Sequence, residues 1–346
     1  MTLASRNRSW FRKVLPSGKE RRRRTGQRLA LYVVRRCANG ALTLWILSAC
    51  VFFLGQVLPG SPGLAILGAS ATPEAVDTLN RSLGYDRPVV VRYLDWLQGA
   101  LHGDFGESVI YGLPVSQLLG AAAFNSIKLC IVALVVIVPL SLFGGISTGV
   151  FRGSVWDRVV TMFAMSVMVV PEFVTGIVLI VVFAIKIPLF PVAATAAPDA
   201  GFLSTLYHLI LPSIALAAVL FGYVARVARA GTIEAFEADY TRTAFVKGLS
   251  TSRVVIGHVV PNAVLPAVMV IATQVGYLFG GLVVIERLFN YPGLGLLIFQ
   301  AAAHKDFPTL QASALVIGCT YIVMTLVADL LQMTLNPRVR SEVLSQ

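Results

Sequence analysis

The chain has 346 residues, of which 56% are hydrophobic and only 13% charged, and its mean hydropathy is +0.78. That is more apolar surface than one water-soluble core can bury, so the composition excludes an ordinary soluble domain and places the chain in a bilayer. The formal net charge of +11 is not the footprint of a nucleic-acid binder, which would need a basic face with stacking aromatics on a soluble module; it reflects topology, and no nucleic-acid partner is expected.

Met1 to Cys37 is strongly basic, with the run Arg21-Arg22-Arg23-Arg24 and one acid, Glu20. Such a block anchors topology and is attracted to anionic headgroups. The first apolar stretch, Ala38 to Leu58, exceeds the roughly 7 to 15 residues of a cleavable signal's core, so it is expected to stay as the first span. Leu58-Pro59-Gly60-Ser61-Pro62-Gly63 stops that helix. A short amphipathic helix follows, with Thr72 as N-cap, Pro73 at its first position and Glu74 in its first turn, ending near Leu83 before Gly84. Pro88 opens a second, Val89 to Leu101, where Val90, Tyr93, Leu94 and Leu97 share a face; Gly103-Asp104-Phe105-Gly106-Glu107-Ser108 closes it.

Five more stretches reach the roughly 20 apolar residues a spanning helix needs: Leu129 to Phe151, Val159 to Ile185, Phe202 to Ala225, Ala263 to Ile285 and Thr309 to Ala328. The alternation of membrane strands is absent, so the spans are helices whose backbone groups are satisfied internally. The fold class is all-α and polytopic, with six transmembrane helices. The organisation is a basic segment (1–37), the first helix with a long outer loop (38–128), a five-helix core (129–333) containing a polar loop (226–262), and a tail (334–346). Three quarters of the 28 Lys and Arg fall on the segments that lie inside when the N-terminus is inside, which puts both termini on the cytoplasmic face.

Among the spans only the third holds a carboxylate, Glu172. An intramembrane acid is costly and functional by default: it either faces the pathway and meets a substrate amine, or is protonated or bonded to a neighbouring helix. Asp329, near the inner end of the last span, reads as an interfacial or helix-packing residue. Cys37, Cys50, Cys130 and Cys319 show no paired spacing, and His102, His208, His258 and His304 are scattered, so neither a disulfide frame nor a metal site is indicated. Gly145-Ile146-Ser147-Thr148-Gly149 spells a hydrolase pattern, but inside a membrane helix its small residues suit close packing. Asp104-Phe105-Gly106 lacks the other kinase motifs, and there is no phosphate-cradling Gly-x-x-x-x-Gly-Lys-Ser/Thr loop. The chain is expected to be no enzyme.

The polar loop carries the strongest signal. Asp239-Tyr240-Thr241-Arg242-Thr243-Ala244-Phe245-Val246-Lys247-Gly248-Leu249-Ser250 is a charged island between apolar segments, with Ala235, Phe236, Tyr240, Ala244, Phe245 and Leu249 giving it an apolar side, the kind of helix that lies on headgroups or docks in a protein groove. Gly248 can end that helix with positive φ after Lys247, and Pro261 restarts the chain toward the membrane. With His258 and Asn262-Ala263, the string resembles the oligopeptide/dipeptide branch of ABC-transporter permeases, first permease subunit type. Arg242 replaces the Glu, and His258 the Ile, of the more general coupling motif of such importers. The resemblance extends through Leu83 to Pro88, Arg92-Tyr93, Gly103 to Gly106 with Ser108, Pro114-Val115, Gly280-Gly281, Glu286, Phe289, Pro292-Gly293-Leu294-Gly295, Asp306 with Pro308, Asp329-Leu330-Leu331 and Pro337 to Arg340. Departures are Pro59 to Pro62, which lacks an Asp, Asn125-Ser126 in place of Pro-x-Thr, and Asn336 in place of Asp.

The resemblance implies the type I ABC importer permease fold and a bacterial cytoplasmic membrane. It implies a second homologous permease, two cytosolic ABC ATPases that carry ATP and Mg, an extracytoplasmic solute-binding protein, and no cofactor in this chain. It implies coupling to the ATPase through Asp239, Tyr240, Arg242, Thr243, Ala244, Lys247, Gly248, Leu249, His258 and Pro261. It further implies an outer gate or receptor contact at Glu286, Phe289, Pro292, Gly293 and Gly295. Peptides, nickel chelates and glutathione-like solutes all stay open as cargo. An ion-driven secondary transporter is the rival; the broken helices, inverted repeats and intramembrane charges such proteins usually show are expected to be largely absent, and the long polar loop would go unexplained.

Overall fold

The computed structural model describes residues 18–57, 62–68, 70–82, 84–197 and 199–335. The departures at Pro59 to Ser61 and Asn336, and the Pro337 to Arg340 match, lie outside them. The described residues form helices α1 (Gly18–Val57), α2 (Pro62–Leu67), α3 (Pro73–Ser82), α4 (Val89–Leu101), α5 (Val115–Val150), α6 (Val155–Val169), α7 (Glu172–Ile180), α8 (Phe202–Glu237), α9 (Asp239–Val246), α10 (Thr251–Val254), α11 (Val260–Leu288), α12 (Leu294–Ala303) and α13 (Phe307–Leu335). Wider π turns, Val181–Lys186 and Val255–Val259, extend α7 and join α10 to α11.

Among the described residues five helices are long and apolar enough to cross a membrane: α1, α5, α8, α11 with its entry, and α13. The sixth expected span is not one rod. It is the pair α6 and α7, bent by 113° between Val169 and Glu172. Pro171 cannot donate a helical hydrogen bond and disfavours helical backbone in the residue before it; Val170 is accordingly extended, at φ −79° and ψ 125°. Pro139, Pro212 and Pro266 are absorbed inside α5, α8 and α11, so proline alone does not break a helix here.

Two further expectations need correcting. The second spanning helix begins at Val115, not Leu129, so a division at residue 128 cuts through it. The segment 226–262 holds the expected helix but is more helical than that, because α8 runs on to Glu237 before the chain builds α9 and α10. The outer segment follows its sequence signals more closely: Thr72 Oγ1 accepts from the Ala75 N–H at 3.4 Å ahead of α3, and α4 occupies Val89–Leu101. Tyr93 pins α4 to α1 through a 2.8 Å bond with Ser48 and ring contacts to Phe52.

α8 lies at the centre, packed by α5, α6, α7 and α11. Lipid tails are as apolar as leucine, so spanning helices associate through close van der Waals contact between small residues. α8 supplies Ala215, Ala217, Ala218, Ala225 and Ala228, all buried, and α5 answers with glycine. A Cβ added at Gly145 would stand 2.3 Å from the Ala225 carbonyl oxygen, and one at Gly149 2.5 Å from Thr232 Cβ. The Gly145 to Gly149 run is therefore a packing seam. Leu209, Leu216 and Leu220 of α8, Phe279, Leu282 and Ile285 of α11, and Leu129 and Ile137 of α5 fill the core around it. Asp329 pairs with Arg36 at 2.7 Å, fastening α13 to α1 as its packing role predicts.

Candidate functional site

The end of α8 that carries Glu237 is followed by Ala238, whose extended backbone (φ −70°, ψ 148°) turns the chain into α9. Asp239 opens α9, where a negative charge suits the helix N-terminus. Thr241 is buried and donates to the Ala235 carbonyl at 2.6 Å, tying α9 to the end of α8. The far end closes with a Schellman arrangement, in which the Gly248 N–H bonds the Phe245 carbonyl at 2.9 Å and the Leu249 N–H bonds the Ala244 carbonyl at 3.3 Å. Gly248 has φ +76°, the left-handed conformation that glycine adopts without penalty.

A small core stiffens this segment: Ala235, Ala244, Val254 and Val259, flanked by Phe236 and Leu249. The apolar side expected from sequence is thus divided. Its small residues, Phe236 and Leu249 face inward, whereas Tyr240 and Phe245 are exposed beside Val246, which is 87% exposed. Arg242, Thr243 and Lys247 share the exposed surface. Pro261 stands in the first turn of α11, and half-buried His258 gives its carbonyl to Asn262 Nδ2 at 2.7 Å. The result is a short helix, held on its inner side and presenting aromatic, aliphatic and cationic groups outward.

The opposite ends of α5 and α11 are held by a buried carboxylate. Glu286 accepts from Ser126 Oγ at 2.6 Å, Gly295 N–H at 2.7 Å and Leu296 N–H at 3.1 Å, while the Leu294 N–H donates to Ser126 Oγ at 2.8 Å. The clasp satisfies the free N–H groups of α12's first turn and binds α5, α11 and α12 together. A Cβ at Gly293 would fall 2.1 Å from Glu286 Oε1. Asp306 plays a parallel part, accepting from Ser108 Oγ and from Thr309 Oγ1 at the start of α13. Burial of Tyr291 beside this clasp pushes its hydroxyl pKa upward. Within the spans, Glu172 is half-buried in the first turn of α7 and makes no hydrogen bond or ion pair among the described residues.

Residues 137–341 match the family described as binding-protein-dependent transport system inner membrane component, and residues 29–120 match the N-terminal region of such membrane components. The chain belongs to this family. It is 33% identical, over 89% of its length and 98% of the relative's, to the glutathione transport system permease protein GsiC of Escherichia coli K12. It is 31% identical, over 90% of its length and all of the relative's, to a probable peptide ABC transporter permease protein, y4tP, of Sinorhizobium fredii. The protein is therefore a multi-pass ABC importer permease, a transport subunit without catalysis or cofactor of its own.

In this permease the residues singled out between Asp239 and Pro261 come together in one segment. Of the group expected at an outer gate or receptor contact, Glu286 and Phe289 are fully buried, Gly293 and Gly295 are buried with them, and Pro292 is exposed, so as a set they do not form an exposed contact surface in this chain. They build the clasp instead. Sequence reasoning missed Asp157, which is buried and takes a bidentate grip from Arg229, Nε to Oδ1 at 2.6 Å and an Nη to Oδ2 at 2.8 Å. It also accepts from the Gly153 N–H at 2.9 Å and Thr161 Oγ1 at 3.2 Å. Ser154, capping the Asp157 N–H at 3.1 Å, carried the signal: Ser-x-x-Asp before an apolar run is a capping box. Arg152 adds an exposed bridge to Glu237 at 3.0 Å.

Proposed function

We propose that this permease forms half of the translocation pathway of an ATP-driven importer for peptides and peptide-like solutes, glutathione among them. Its partners are a second homologous permease, two cytosolic ATPases and an extracytoplasmic solute-binding protein. Both termini and α9 lie on the cytoplasmic face. The observation that carries the reading is α9 itself: a docking helix whose own core faces inward, leaving Tyr240, Arg242, Phe245, Val246 and Lys247 outward. An exposed aromatic and aliphatic surface with flanking cations is what a cleft in a partner protein would bury. ATPase closure then moves α9, and α9 moves α8.

The solute class rests on the relatives, one named for peptides and one for glutathione, itself a tripeptide. The test is reconstitution of the permease with its partner subunits in vesicles and measurement of ATP-dependent uptake of trialanine and of reduced glutathione. Uptake of neither, with uptake of a nickel chelate, would overturn the solute class. Uptake driven by an ion gradient without ATP would overturn the importer reading.

A further inference from the structure

The break between α6 and α7 leaves polar groups in a place where lipid cannot satisfy them. Pro171 has no N–H to give and Val170 is extended, so carbonyls in the last turn of α6 lose their helical partners. Beside them stands Glu172, a carboxylate within the spanning pair and without a protein partner among the described residues. Non-helical backbone and free charge at membrane depth are tolerated where they are buried in protein or line a water-filled cavity. This break is not buried in its own chain, for Val169 is 84% and Phe173 45% exposed.

On α11, a Cβ at Gly281 would lie 3.6 Å from Glu172 Oε1 and 3.1 Å from Leu216 Cδ1, so the bare glycine lets the carboxylate stand close against the α11 backbone. Tyr277 and Val284, about a turn to either side, are exposed. The carboxylate and the freed carbonyls of α6 therefore meet beside α11.

We propose that this place is a binding site for the primary ammonium group of the transported solute. The inference rests on the importer reading and deepens it. An ammonium has three donors and no acceptor, so one N–H engages the Glu172 carboxylate and the others reach the freed carbonyls of α6. Peptides with a free N-terminus and glutathione both carry that group; their N-acetylated forms do not. A helix break that offers carbonyl ends to a cation within the membrane is a recurring device of transport proteins.

The test introduces Val169→Cys into the assembled complex of permeases and ATPases, without the solute-binding protein, and labels the new thiol with a polar, charged reagent, with the unsubstituted complex as the blank. Labelling is expected, and trialanine at millimolar concentration should slow it at least threefold while N-acetyl-trialanine does not. Adding Glu172→Gln should abolish the protection, and Glu172→Asp should retain part of it. Failure of the Val169→Cys thiol to label, or equal protection in the Glu172→Gln variant, would overturn the site. ATP-driven uptake by the complete importer is read separately: no uptake of either probe alongside intact protection would sink the importer reading and leave the site standing.

Discussion

Gly248→Val isolates the backbone's part in coupling. Gly248 has φ +76°, and a Cβ there would meet no heavy atom within 4 Å, so substitution causes no clash and its cost is conformational. A non-glycine residue in left-handed backbone pays roughly 1–2 kcal/mol, a β-branched one at the upper end. That cost falls on the two bonds that close α9, from the Gly248 and Leu249 N–H groups to Phe245 and Ala244. A penalty of this size shifts an equilibrium by about five- to thirtyfold. The docked geometry of α9 should become that much less populated, and ATPase affinity should fall in proportion. Asn, which tolerates left-handed backbone, should cost less than threefold, with Ala between. The assay is titration of the purified ATPase onto the detergent-solubilised permease pair, followed by uptake per ATP hydrolysed in vesicles. Full-strength docking of the Val variant would refute the argument. Equal losses for Asn, Ala and Val would refute it differently, by showing that glycine is needed for close approach of the ATPase and not for its φ.

Asp157→Ala strips the Arg229 grip of a nearly buried partner; breaking such a pair costs about 3–5 kcal/mol when both ends are buried, and because Arg229 is 28% exposed a loss of about 2–3 kcal/mol is expected as a lowered thermal midpoint. The Asp157→Ala, Arg229→Ala double variant should lose less than the sum of the singles, and strict additivity would deny the coupling. Arg242→Glu, on an exposed position, should leave insertion and thermal midpoint unchanged while weakening ATPase binding; unaltered binding would remove Arg242 from the contact face. Ser82→Cys and Thr243→Cys, both at exposed positions, should label from opposite sides of intact cells, the first from outside, and labelling of both from one side would contradict the topology.

The spans were legible because hydrophobic length is read without tertiary knowledge, and the short helix α9 because Gly248 and the charge island are local signals. What escaped was relational. Glu286 entered only through the family resemblance, because its partners, Ser126 and the N–H groups of Gly295 and Leu296, come from two other helices. Arg229 and Asp157 are far apart in sequence, and nothing local pairs them. The break at Pro171 could not be told from the absorbed Pro139, Pro212 and Pro266, since whether a helix bends depends on what its neighbours pack against. The start of α5 at Val115 was hidden because the stretch before Leu129 is too polar to register as a span although it is helical.

These contacts also join the two sites. α9 hangs from α8 through Thr241 and its small shared core, so a push on its exposed face is delivered to the end of α8. There Arg229 grips Asp157 in the first turn of α6, and Arg152 bridges to Glu237. Along the membrane α6 keeps touching α8, with a Cβ at Gly222 placed 2.5 Å from the Ala164 carbonyl oxygen. α6 thus stays in contact with α8 as far as the turn before Val169, beside Glu172. α7 lies beyond the break and packs against α8 as well as α11, with Gly176 against Leu288 and Ala215. α8 therefore touches the helix on each side of the break at Val170 and Pro171. On the proposed coupling role of α9, movement delivered to α8 reaches the α6 carbonyls and the Glu172 carboxylate through these packed helices rather than through any ligand contact near α9.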